Sequence, residues 1–256
     1  MRFALIDNKR VEAQPKQQGI CPICSQSVIA KCGDKKVWHW AHRSIKACDS
    51  WWEPETEWHR NWKNYYPSDW QETVLFDGQT GEKHIADVKT IHSLVIEFQH
   101  SAIKPEERIS REKFYKNMIW VVDGTRLKRD YPRFHKGMEN FRRTNQQGVF
   151  YVNFPEGVFS KIWLNSSVPV IFDFSTTEQN EIRNTLWCLL PQKDITQAIV
   201  VGFKRNDLVQ ITHNRGQLFM ESQKQKTPPR PAQIKIKRRE STHYLHKGKW
   251  VKRKRF

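Results

Sequence analysis

"EKHIADVKTIHSLVIEFQHS", residues 82–101, reads as two strands joined by a short break at His92-Ser93, with one carboxylate inside each. In the second run a period of two puts Val95, Glu97 and Gln99 on one face and Leu94, Ile96 and Phe98 on the other. Nine residues separate Asp87 from Glu97, the interval expected if one strand carries Asp87 to its end and the next brings Glu97 back alongside. Burying two carboxylates together costs free energy unless a cation or a proton compensates. Converging oxygens of this kind suit a hard divalent ion, Mg²⁺ or Mn²⁺. The competing reading leaves Asp87 and Glu97 at opposite strand ends, solvated or salt-bridged.

Outward from this pair, "EPETEWHRNWKNYYP" (53–67) has an acidic first turn, apolar residues at Trp58, Trp62 and Tyr65, and Pro67 as a stop, the pattern of an amphipathic helix of about three turns. "QETVLFD" follows as a strand, then the two strands above, then "KPEERISREKFYKN" as a helix with Pro105 in its first turn, then "MIWVVDG" as a buried strand. The order helix, three strands, helix, strand over residues 54–124 predicts a compact mixed α/β unit with its middle strands covered on both faces. Further on, "GVFYVNF", "VFSKIWL" and "VPVIFDF" read as strands and "TEQNEIRNTLWCLLP" as a helix. The expected divisions are 1–52, 53–130, 131–220 and 221–256.

Near the start, "FALIDNKRVEA" predicts a β-hairpin, and Cys21-Pro22-Ile23-Cys24 is followed after fourteen residues by His39-Trp40-Ala41-His42. The form C-x2-C-x14-H-x2-H suits the tetrahedral shell of structural Zn²⁺, with Cys21, Cys24, His39 and His42 as ligands. Cys32 and Cys48 are alternatives, either of which could displace a histidine. Four closed protein ligands leave no open position for catalysis. An odd count of five cysteines, with charge where a signal peptide would have its apolar stretch, argues against a disulfide framework and predicts a cytoplasmic protein. No apolar run is long enough to span a membrane.

The 256 residues carry a formal charge of +17, which makes nucleic acid the default partner. Residues 221–256 hold thirteen Lys and Arg against two Glu, so +11 falls in that segment and +6 in the first 220 residues. The segment reads as a flexible basic arm, with Arg238, Arg239, Lys252, Arg253, Lys254 and Arg255 as contacts to DNA phosphates. Seven of the eleven tryptophans lie between residues 38 and 70. Their helical and strand spacing assigns most to the core, while Trp51 and Trp52, in a linker, are candidates for stacking on bases.

"ETEWHRNWK", "HIADV", "IEFQHS" and "EERISREKFY", in that order and preceded by "CPIC…HWAH", resemble the competence protein CoiA-like family, whose members include phage and prophage proteins. That family is a branch of the PD-(D/E)xK nuclease superfamily. The resemblance implies a restriction-endonuclease-like αβββαβ core with a small N-terminal zinc-binding β module and a mixed C-terminal extension, acting as an Mg²⁺- or Mn²⁺-dependent DNA endonuclease. By position, Asp87 matches the metal-binding aspartate, Glu97 the acid of the (D/E)xK element, and Glu57 or Glu55 the glutamate of the first helix. Only one of these two can face the strands, because i and i+2 point about 200° apart on a helix. Glu55, His59 and Lys63 share a helix face, where His59 and Lys63 could contact phosphate or orient a ligand, and Glu72 could add a carboxylate. Gln99 stands where the superfamily has lysine; an amide hydrogen-bonds but carries no charge, so Lys63 or Lys89 would have to supply it. Arg111 reads as a phosphate contact, with His84, His100 and Tyr115 flanking the site. The rival expectation is a catalytically inactive zinc-containing DNA-binding or recombination-mediating protein.

Overall fold

The computed structural model describes residues 1–43, 48–78, 80–176, 180–192, 196–218, 243–247 and 249–252. Residues 1–218 form one compact unit. It opens with β1 (Phe3–Ile6), β2 (Lys9–Glu12), β3 (Gln18–Ile20), β4 (Ser27–Lys31) and β5 (His39–His42), an antiparallel sheet in the order β2-β1-β3-β4-β5. Its small core is Met1, Ala4, Ala13, Cys21, Val28 and Trp40.

Helix α1 (Glu57–Lys63) is shorter than the expected three turns. Thr56 and His59 form a reciprocal capping box at its start: the Thr56 hydroxyl accepts from the His59 amide and His59 Nδ1 accepts from the Thr56 amide. Trp62, fully buried, stacks on Phe98 with ring centroids 5.7 Å apart, which seats the helix on the sheet. Then come β6 (Gln71–Phe76), β7 (Lys83–Lys89), β8 (Val95–Gln99), α2 (Pro105–Tyr115) and β9 (Met118–Asp123). β7 alternates buried and partly exposed residues as a period of two requires, while every residue of β8 and β9 is buried. Helix α2 buries Arg108, Arg111, Glu112 and Tyr115, positions i, i+3, i+4 and i+7, on one face.

The chain continues through α3 (Asp130–Gly137), β10 (Phe141–Arg143), β11 (Val149–Asn153), α4 (Lys161–Leu164), β12 (Val170–Asp173), α5 (Glu181–Asn184), β13 (Thr185–Leu189), β14 (Gln197–Lys204) and α6 (Arg205–Asn214). The nine strands β6 to β14 join one sheet, in the order β10-β11-β14-β13-β12-β9-β8-β7-β6. β8, β9 and β12 are parallel neighbours and the other pairs are antiparallel.

Two sequence expectations change here. "VFSKIWL" contains helix α4 rather than a strand, with Trp163 buried against Trp120. In "TEQNEIRNTLWCLLP" the helix is only Glu181–Asn184, capped by Asn180, and Thr185–Leu189 is a strand between β12 and β14. A short apolar run buried on both faces has no periodicity to separate strand from helix. Within the basic C-terminal segment, β15 (His243–His246) and β16 (Lys249–Lys252) form an antiparallel hairpin of their own. No helix among the described residues is long and apolar enough to cross a membrane.

Candidate functional site

Asp87 and Glu97 meet where β7 and β8 run side by side. The Asp87 amide donates to Glu97 Oε1 at 3.1 Å, and the Phe98 amide donates to Asp87 Oδ2 at 2.9 Å. Each carboxylate is thus fixed by the backbone of the strand carrying the other. Lys63, from the last turn of α1, puts its Nζ 2.9 Å from Asp87 Oδ1, 3.4 Å from Glu72 Oε1 and 3.5 Å from Glu55 Oε1. On the other side Arg111 Nη1 donates to Glu97 Oε2 at 2.9 Å. Glu72, at the start of β6, has a left-handed backbone (φ 45°), a strained conformation for a non-glycine residue. Its carboxylate accepts from the amides of Arg2 and Phe3, which ties the N-terminal sheet to the cleft.

Burial and charge act in opposition here. Burial disfavours the Lys63 ammonium, but Asp87, Glu55 and Glu72 outweigh it and hold the amine well above its usual range. Burial also works against the Glu55 carboxylate, and Lys63 and Arg60 reverse it, to about 2. Glu97 goes the other way: burial and then the neighbouring Asp87 charge push it up to about 8, in spite of Arg111. Of Glu55, Glu72 and Glu97, only Glu97 is therefore shifted toward keeping its proton near neutrality. The cleft has about 60 Å³ of free space, which admits ions and a few waters but not a nucleoside.

Of the first-helix glutamates, Glu55 joins this cluster and Glu57 is exposed. His59 is buried but bonds Glu53 at 3.2 Å instead of lying beside Glu55. Gln99 donates to Glu53 Oε2, to the Ser101 carbonyl and to the Ser101 hydroxyl, while its buried Oε1 has no protein donor among the described residues. Lys89 follows Asp87 by two residues and makes no ion pair among the described residues. Arg111 is not a free phosphate contact: it is buried, and beyond Glu97 it donates to Glu107 and to the Trp51 carbonyl. Trp51 is likewise unavailable for base stacking, because its ring lies flat on His84, 3.2 Å between centroids. Trp52 is exposed. His84 is held by Asp49 and Glu82, each at 2.8 Å, and His100 by Asp123 at 2.7 Å. Arg238, Arg239, Arg253, Lys254 and Arg255 lie outside the described residues, as does the side chain of Lys252.

Sequence reasoning missed Asp49 and Glu53. Asp49 accepts from the amides of Ile85 and Trp51 and from His84, so it sets β7 close to Asp87. Glu53 accepts from Gln99, His59 and the Ser101 hydroxyl. Only the acidic run 53–57 hinted at the second, and nothing in the sequence marks the first.

The other centre is the knuckle. Cys21, Cys24, His42 and Cys48 bring their donor atoms within 4.8 Å of one another, with Cys21 Sγ 3.6 Å from Cys48 Sγ and Cys24 Sγ 3.3 Å from His42 Nε2. With Zn–S near 2.3 Å, two sulfurs on a tetrahedral ion sit about 3.8 Å apart. The donor chemistry and spacing therefore fit, and the cluster could hold a structural zinc. Burial lowers His42, keeping its imidazole neutral as ligation needs. His39, the expected fourth ligand, is replaced by Cys48. His39-x2-His42 lies on β5, where an odd spacing points the two rings to opposite faces, and His39 Nδ1 bonds the Val37 carbonyl instead.

The knuckle and the Asp87–Glu97 pair of the acidic cleft each fall in a stretch that matches a known family model. Residues 85–156 match the nuclease-like domain of competence protein CoiA, and residues 5–50 match the CoiA N-terminal domain. Both matches lie in chain order, over residues 5–50 and 85–156, and together they support a CoiA-like competence protein family. Asp87, Glu97, Gln99 and Arg111 fall inside the second match; Glu55, Lys63 and Glu72 lie between the two. No curated protein and no solved structure matches the chain.

Proposed function

We propose that this protein is a divalent-metal-dependent DNA endonuclease of the cell interior, with Asp87 and Glu97-Phe98-Gln99 in the positions of the PD-(D/E)xK elements. The order α1-β6-β7-β8-α2-β9 is that of a restriction-endonuclease-like core. The observation that carries the reading is the cross-strand pair Asp87–Glu97 with Lys63 Nζ 2.9 Å from Asp87, a buried positive charge where the E-x-Q sequence lacks its own lysine. Asp87 and Glu97, with Glu55 or Glu72, are the residues that would hold Mg²⁺ or Mn²⁺, since each of their hydrogen-bonded oxygens retains a second lone pair. A bound divalent ion supplies an acidified water and stabilises charge on the leaving oxygen. Lys63 keeps a positive charge beside Asp87, and Gln99 Oε1, buried and without a donor among the described residues, is an acceptor that can orient a water. Arg111, itself anchored by donating to the Trp51 carbonyl, holds Glu97 in place. The Cys21, Cys24, His42 and Cys48 zinc would be structural, because four protein ligands close its shell.

A second reading, an inactive DNA-binding member of the family, is favoured by Lys63 contacting three carboxylates at once, which balances the cluster without a metal. Labelled single-stranded, duplex and branched DNA incubated with Mg²⁺ or Mn²⁺, against EDTA, separates the two. Metal-dependent cutting by the wild type and none by a DNA-binding Asp87→Ala variant supports the nuclease. Cutting that persists in the variant means the site is misassigned, and no cutting by either leaves the binding protein.

A further inference from the structure

Residues 126–143, "RLKRDYPRFHKGMENFRR", carry seven Lys and Arg against Asp130 and Glu139. Their net +5 nearly equals the +6 of the whole first 220 residues, so outside the C-terminal segment the positive charge is concentrated here. The charge is also shaped. Leu127, Lys128, Arg129, Arg133, Lys136 and Asn140 line much of a groove of about 1150 Å³ along α3, far larger than the acidic cleft. Asp130 is taken by Arg133 at 3.0 Å, and Arg142 bonds backbone carbonyls. Lys128, Arg129 and Lys136 are exposed and make no ion pair among the described residues.

The groove is rigidly mounted. Phe134 is buried and stacks on Phe174, 4.6 Å between centroids, and Gly137 packs so closely that a Cβ there would sit 2.6 Å from Val158. It also leaves the sheet at the same end as the acidic strand β8. β8 and β9 are parallel with Gln99 opposite Val122, and Asp123, the last residue of β9 and three residues before this segment, holds His100.

We propose that this face of α3 binds the phosphate backbone of duplex DNA beside the acidic cleft. The inference rests on the reading of DNA as substrate and names a surface for it. Lys128, Arg129 and Lys136 are exposed and Leu127 is the one large exposed apolar side chain lining the groove, a balance that suits a polyanion better than a protein partner, whose interface core would be apolar. Single strands are bound by stacking bases on aromatic rings. No aromatic residue lines the groove, and the Tyr131 ring nearby is covered by the Arg183 guanidinium at 3.7 Å.

The test uses the full chain with Lys128→Gln, Arg129→Gln and Lys136→Gln combined, and measures duplex and single-stranded DNA binding by anisotropy in EDTA over a salt series. Each lost phosphate contact lowers the slope of log affinity against log salt by about 0.9, so a fall of about 2–3 is expected on duplex. A smaller change is expected on single strands, and a Lys128→Arg, Lys136→Arg variant should keep the wild-type slope. An unchanged duplex slope overturns the proposal, and an equal loss on single strands overturns its duplex assignment. Because the readout is binding without cleavage, a chain that loses slope but never cuts refutes the nuclease reading alone. One that cuts with its slope unchanged refutes this surface alone.

Discussion

The acidic cleft and the Cys/His knuckle both gather metal-ligand chemistry, but they compensate burial differently. In the cleft, cations of the chain itself, Lys63 and Arg111, stand against the carboxylates, and Glu97 takes a proton. In the knuckle three thiols and an imidazole face one another, no ion pair among the described residues involves them, and burial raises the pKa of Cys21 and Cys48. A cluster compensated from within can fold without metal, and a second cation must compete for it. A cluster of soft donors alone needs the metal to ionise and to cohere.

The largest effect expected from that contrast is at the knuckle. Cys48→Ser should lose stoichiometric zinc and a large part of the roughly 10 kcal/mol that a structural zinc contributes to folding. His39→Ala should keep both; metal analysis and thermal melts of the two variants read this directly. Next is Lys63→Met, which leaves Asp87, Glu55 and Glu72 buried with their shared cation gone. A loss of about 3–5 kcal/mol is expected in denaturant unfolding without divalent ions, with Mn²⁺ restoring more stability to the variant than to the wild type. A variant as stable as the wild type would mean that the internal cation does not hold the cleft together.

Smaller and more diagnostic is the pH dependence of the metal-free fold. Glu97 titrates near 8 when folded and near 4.5 when unfolded, so its protonated form stabilises the fold below about pH 4.5 and that contribution is lost as pH rises toward 8. Glu97→Gln should flatten this stretch of the stability profile. Smallest is the helix pair: Glu55→Gln should weaken Mn²⁺ binding and Glu57→Gln should leave it unchanged, by calorimetry.

What the sequence made legible follows from periodicity. The alternation in residues 82–101 placed Asp87 and Glu97 on neighbouring strands, whereas Lys63 meets Glu55 across the start of α1, since Glu55 precedes the helix expected to carry both. The ambiguities that remained were those of parity and distance. A two-residue gap joins ligands across a turn, as at Cys21 and Cys24, but separates them on a strand, as at His39 and His42. Arg111 looked like a phosphate contact because nothing local shows that α2, the element after β8, packs with Arg111 buried against Glu97. Asp49 and the amides of Arg2 and Phe3 reach the cleft only through tertiary packing of the N-terminal sheet, which no spacing encodes.

The most direct test of the central claim, that the cleft is a divalent-cation site built on Asp87 and Glu97, is Mn²⁺ titration of zinc-loaded protein by calorimetry at pH 8, wild type beside Asp87→Ala. Saturable Mn²⁺ uptake by the wild type, lost in the variant while zinc content is equal, is the predicted result. Equal uptake by both, or none by either at millimolar Mn²⁺, would contradict it.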